Sequence, residues 1–181
     1  MRAARRLRLL LVVAVAFVLQ YALLANLQIQ GAEPDIMILV VVLTAMEGGP
    51  QRGAIVGFAV GLLNDLYLQS PFGLTALTLT LIGYAVGLLE PSLVDAAGWL
   101  TATIGAVASA AAVTLYALLY AILGHPTLLH HGLLAVVLVV GLVNGVLAIP
   151  CAPIVRWALG IREASMTRRS RTDRWGAGIG R

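Results

Sequence analysis

Apolar residues fall into six runs separated by short polar or turn-forming stretches: about Leu7 to Ala25, Ile36 to Met46, Gly53 to Leu68, Phe72 to Leu89, Trp99 to Leu123 and Gly132 to Leu159. A membrane-spanning helix needs ~20 apolar residues to cross a ~30 Å hydrocarbon core. The second has about half that length. It is either re-entrant or borrows polar residues from Asn26 to Asp35, tolerable where they face protein or a water-filled cavity instead of lipid.

The connectors are short. Pro34, which has no N–H to leave unpaired, suits the start of the second helix. Glu47 to Gln51 (EGGPQ) reads as a turn by its Gly-Gly-Pro content. Gln69-Ser70-Pro71 is a tight hairpin, so the third and fourth segments should lie antiparallel and adjacent. Glu90 to Gly98 and Gly124 to His131 complete the set.

Charge then orients the runs. All twelve basic residues are arginines, and apart from Arg52 they flank the apolar region: Arg2, Arg5, Arg6 and Arg8 at one end, and Arg156, Arg162, Arg168, Arg169, Arg171, Arg174 and Arg181 at the other. Six spans put both clusters in the cytoplasm, as the positive-inside rule requires, whereas an odd number would separate them. The same topology places Arg52, Trp99 and Trp157 at the inner surface, and Glu33, Asp35, Tyr21, Tyr116 and Tyr120 towards the outer one.

Composition agrees with this reading. Of 181 residues, 60% are hydrophobic and 11% charged, with a mean hydropathy of +0.96. That is an all-α integral membrane protein and not a soluble globular domain. Residues 1–161 make one six-span transmembrane domain, and 162–181, basic and rich in Gly, Ser and Thr, form a disordered cytoplasmic tail. The opening MRAARRLRLLL resembles a signal sequence, but the apolar run is long and no A-x-A cleavage site follows, so it is read as an uncleaved first span. The pI near 9.8 reflects arginines facing anionic lipid, notably Arg2, Arg5, Arg6, Arg8, Arg168, Arg169 and Arg171, and not nucleic-acid binding. Cys151 has no partner for a disulfide or a CxxC site.

Two features could carry function. Gly53, Gly57, Gly61 and Asp65 recur every four residues and share one helix face. Small residues let helix backbones approach closely in lipid. The ladder therefore serves either internal packing or the reception of a partner's transmembrane helix. Gly83 with Gly87, Gly105 with Ser109, and Gly141 with Gly145 repeat the spacing. Asp65 stands only four residues before Gln69, ~6 Å of helix rise, which puts it near the outer surface. Its structural reading is a cap on the start of the fourth helix, or a bond to Asn64 or Ser70, fastening a hairpin with Ser70, Pro71 and Gly73. Its functional reading is a substrate or proton site, for which no basic partner exists in a neighbouring span. His125, His130 and His131 lack metal-ligand spacing. No G-x-S-x-G, H-E-x-x-H or paired intramembrane acids occur, so neither enzymatic activity nor a cofactor is expected.

The order Pro34-Asp35-Ile36, an apolar segment, a turn with Pro50, G-x3-G-F-x2-G-L-L-N-D from Gly53 to Asp65, S-P-x-G-L-x-A-L from Ser70 to Leu77, and a helix ending around Gly83-Tyr84 resembles the MreD family of bacterial rod-shape-determining membrane proteins. The resemblance is carried by Pro34 to Tyr84; later spans agree in hydropathy, and the long arginine tail departs from the pattern. It implies a non-enzymatic subunit of the elongasome, which inserts lateral-wall peptidoglycan. Implied partners are an MreC-like bitopic protein, RodA with its class B transpeptidase, and MreB. The family is also similar in fold to the substrate-binding subunits of energy-coupling-factor vitamin transporters, which supplies the alternative function. Such a subunit needs a polar pocket near the outer face, for which Gln28, Gln30, Asn64, Asp65, Tyr67 and Gln69 are the available groups.

Overall fold

A computed structural model describes residues 2–22, 35–67, 71–89, 98–124 and 132–160. The described chain forms six α-helices: α1 (Arg2–Ala22), α2 (Ile36–Gly48), α3 (Pro50–Tyr67), α4 (Leu74–Gly87), α5 (Gly98–Ile122) and α6 (Leu133–Leu159). Each coincides with one apolar run. The three histidines, Glu33, Pro34, Ser70 and the tail 162–181, with Arg168, Arg169 and Arg171, lie outside the described residues. Of Arg2, Arg5 and Arg6 only the helical backbone is described.

The shortest helix is the centre of the bundle. α2 has 13 residues, which at 1.5 Å each is about 20 Å. Every residue from Met37 to Met46 is buried, and α2 touches all five other helices. Asp35 stands outside the helix, and the rest of the stretch Asn26 to Asp35, from which a full span would borrow, lies outside the described residues. Asp35 has an extended backbone and caps the helix, its carboxylate accepting from the N–H groups of Met37 and Ile38. A helix wholly wrapped by other helices presents no surface to lipid, so it has no need of the full ~20-residue span. At its other end Gly49 adopts φ +80°, a conformation that strains any residue with a Cβ. Pro50 then starts α3 at once, its missing N–H costing nothing in a first turn.

Two antiparallel pairs flank this core. In α3 and α4 the steps of four match: Gly53 lies against Gly83, Gly57 against Leu79, Gly61 against Ala76, and Gly87 against Pro50. In α5 and α6, Gly105 meets Ala148 while Gly141 and Gly145 meet Ala106. Both seams bring backbones into contact, as small residues permit. α1 closes the bundle against α2 and α6.

Contacts between helix ends show that successive helices alternate in direction. At one end the Arg8 guanidinium lies 5.1 Å from the Trp157 ring, and Arg156 pairs with Glu47 at 2.5 Å. At the other, Gln20 accepts from the N–H of Ile36 and Tyr21 donates to Asn64. Among the described residues Arg8, Arg156, Trp99 and Trp157 thus mark one end, with Tyr84 near it, and Tyr21, Tyr67, Tyr116 and Tyr120 with short polar side chains mark the other.

Polarity is distributed inside-out relative to a water-soluble protein. Leu134 and Leu142 are each 72% exposed, while Asn64, Asp65, Thr78, Ser109 and Asn144 are buried. α5 and α6 are long and apolar enough to cross a membrane, and little over a quarter of each apolar window is buried within the bundle. Exposed apolar sheaths of this extent would aggregate in water and are at home in lipid.

Candidate functional site

The buried polar groups are not scattered. Apart from Thr44 and Thr101, they gather at the tyrosine end, where α1 finishes, α2 and α4 begin, and α3 ends. The sequence of α3 delivers two of them side by side, because Asn64-Asp65 follows three glycine steps that bring α3 onto α4.

Asp65 faces the first turn of α4. One carboxylate oxygen, Oδ2, accepts from the N–H of Gly73 at 3.0 Å and of Ala76 at 3.1 Å; Oδ1 accepts from that of Thr75 at 3.1 Å. Three of the donors that a helix start leaves unpaired are thereby satisfied by an acid from the neighbouring helix. Gly73, at φ +93°, is the N-cap residue and offers no side chain of its own. Asp65 therefore supplies from outside what Ser or Asp would supply from within. Pro71 lies between the two helices, and its carbonyl accepts from the N–H of Leu74. The structure brings Asp65 and Gly73 into contact, and it gives Asp65 no basic neighbour among the described residues.

The face of Gly53, Gly57 and Gly61 is occupied. A Cβ at Gly53 would overlap the Gly83 carbonyl and Ala45; at Gly57, the Leu79 carbonyl; at Gly61, the backbone of Thr75 and Ala76. Of the two readings of this ladder, internal packing is the one these contacts support. The hairpin folds α4 of the same chain onto it, and the local concentration of a covalently tethered helix outcompetes a separate one.

A second network was not anticipated. Asn144 of α6, with no exposed surface, donates through Nδ2 to the Asp35 carbonyl at 2.9 Å and to Ser109 Oγ at 3.0 Å. It ties α6 and α5 to the start of α2. Asn144 is the only polar side chain between Leu133 and Ile149, and an amide isolated in an apolar span is the signal that could have found it. Gln20, near the end of α1, binds the same helix start.

Between these two networks lies a cleft of about 290 Å³. Asp35, Asn64, Thr75, Thr78 and Tyr116 supply its polar wall. Of the residues proposed for a vitamin pocket, Asn64 lines it. Asp65 points into the α4 cap, Tyr67 packs tilted against Tyr21 with ring centroids 3.9 Å apart, and Gln28, Gln30 and Gln69 lie outside the described residues. Among the described residues no group of His, Cys, Asp and Glu has the arrangement of a metal site.

Compared with known proteins, residues 1–156 match the family model described as rod shape-determining protein MreD. No match was found among curated proteins or among solved structures.

Proposed function

The chain belongs to the MreD family, and from that premise we propose that it is a multi-pass scaffold of the elongasome that holds an MreC-like bitopic protein beside the lateral-wall synthesis enzymes. The family is one of shape-determining membrane proteins, so a role in rod shape follows from membership. The observation that carries the finer reading is the family match along nearly the whole bundle. Further support is the use of each buried acid and amide for holding helices together.

In this reading all six helices form one up-and-down membrane bundle, of the kind found in energy-coupling-factor subunits, with both termini in the cytoplasm. Arg8, Arg52 and Arg156 then meet anionic lipid at the inner face, and Asp35, Asp65 and the cleft lie towards the outside. The partner's helix docks on an outer face of the bundle, since α4 fills the glycine ladder. RodA, its class B transpeptidase and MreB are reached through the assembled complex.

The test is co-purification from detergent-solubilised membranes of a rod-shaped host, with identification of partners by mass. The scaffold reading expects the MreC-like protein in the eluate, and rounding of cells depleted of this chain with rescue by its restored expression. Rods that persist on depletion, with no MreC-like protein recovered, would overturn it.

A further inference from the structure

Two prolines sit where a helix can ill spare an N–H. Pro50 begins α3 and Pro71 precedes α4, so neither deprives a carbonyl of its helical donor. Pro150 and Pro153, by contrast, lie inside α6. In an α-helix the carbonyl of each residue receives the N–H four positions on, and proline has none to give. The carbonyls of Val146 and Ile149 therefore lose their helical donors.

Their position makes the loss matter. Val146 stands midway along α6, about 20 Å of helix rise from either end, which in a spanning helix is the hydrocarbon core. Prolines are tolerated there when a neighbouring helix, a Ser or Thr side chain or an ordered water re-satisfies the backbone groups they free. α6 has no Ser or Thr. Its amide, Asn144, is committed to Asp35 and Ser109, and Cys151 is in step with the Leu147 carbonyl and with neither of these. The helices already in place cover another side, where Gly141, Gly145 and Ala148 meet α5. Leu142, Val146 and Ile149 are instead 72, 64 and 54% exposed, with Pro150 and Pro153 exposed beside them. A structural water needs two to four polar partners, and the side chains of this face are Leu, Val, Ile and Pro. Lipid chains donate nothing.

We infer that this face of α6 is where the transmembrane helix of the MreC-like partner docks, and that this helix brings a hydroxyl or amide side chain to mid-membrane, donating to the Val146 and Ile149 carbonyls. The inference rests on the scaffold reading and adds to it a surface and a recognition chemistry. The ridge of Leu138, Leu142 and Val146, in steps of four, supplies the packing. The two carbonyls supply the register, which apolar packing in lipid specifies poorly.

The test places the photo-crosslinker p-benzoyl-phenylalanine at Leu142 or Ile149 of the full chain and, as controls, at Ile55 of α3, Leu81 of α4 or Val107 of α5, all exposed. Cells are irradiated, adducts are digested and sequenced, and co-purification of the MreC-like protein is measured alongside. Adducts are expected from the α6 positions alone, to the partner's transmembrane segment, with a Ser, Thr, Asn or Gln within one turn of the crosslinked residue. Pro150→Ala together with Pro153→Ala returns both N–H groups. It should lower recovery of the partner about tenfold, the effect of losing two hydrogen bonds in a membrane, while the SDS unfolding midpoint of the isolated chain holds or rises. Replacing the partner's donor by Leu should weaken recovery equally in the parent and no further in the proline double variant. Adducts from a control face and none from α6, adducts only to lipid or to a second copy of this chain, a crosslinked segment without such a donor, or undiminished recovery with both prolines replaced overturns the inference and leaves the scaffold reading standing. Failure to recover the MreC-like protein at all removes both.

Discussion

Replacing Asp65 by Asn changes one atom and should unfasten α3 from α4. The carboxylate presents two acceptors to three N–H groups at the start of α4. The best that an amide can do is to put its oxygen where Oδ2 stands, keeping Gly73 and Ala76, and its NH2 where Oδ1 stands. There it confronts the Thr75 N–H, donor against donor, in a buried setting. One orphaned buried donor costs about 1–3 kcal/mol. Loss of the negative charge at a helix start costs ~0.3–1 kcal/mol more. The sum, about 1.3–4 kcal/mol, is large against the usual margin of stability. Titration with SDS in mixed micelles, followed by circular dichroism, should show the unfolding midpoint displaced downward by that amount. Asp65→Glu keeps the charge but carries it one methylene too far, and should recover only part of the loss. An Asp65→Asn midpoint equal to that of the parent would refute the account, because it would mean that those N–H groups find equivalent partners without the carboxylate.

Other expectations follow from the same seams. Gly57→Leu drives a side chain into the Leu79 carbonyl and should cost well over the ~1–3 kcal/mol of ordinary overpacking, removing folded protein from size-exclusion profiles instead of selectively releasing a partner. Gly73→Ala meets no atom, so its cost should be only the ~1–2 kcal/mol of a left-handed backbone, seen as a modest fall in the SDS midpoint. Asn144→Leu deletes two donated hydrogen bonds but also an oxygen, Oδ1, that has no partner; the offset should hold the loss near ~1 kcal/mol in the same assay. Glu47→Gln breaks a pair whose arginine is 37% exposed, so the cost should stay below ~1 kcal/mol, and the swap Glu47→Arg with Arg156→Glu should recover what is lost.

What the sequence determined is local and bulk: six helices, their approximate limits, the adjacency of α3 and α4, and the sorting of Trp99 and Trp157 to the arginine end and of Tyr21, Tyr116 and Tyr120 to the other. Runs of apolar residues and turn residues carry that information directly. Asp65 and Gly73 were visible as hairpin residues because an acid four positions before a turn has few places to go. Tertiary structure alone decided which faces are inside. In a soluble protein the buried face is the apolar one, but here lipid and core are equally apolar, so hydrophobicity carries no facing signal. That is why the shortest, least convincing segment, Ile36 to Met46, proves to be the centre, and why the glycine ladder, legible as a close-packing surface, did not disclose that α4 fills it. The Asn144 network and the cleft beside Thr75 join residues more than thirty positions apart. Only packing of the helices brings them within hydrogen-bonding reach.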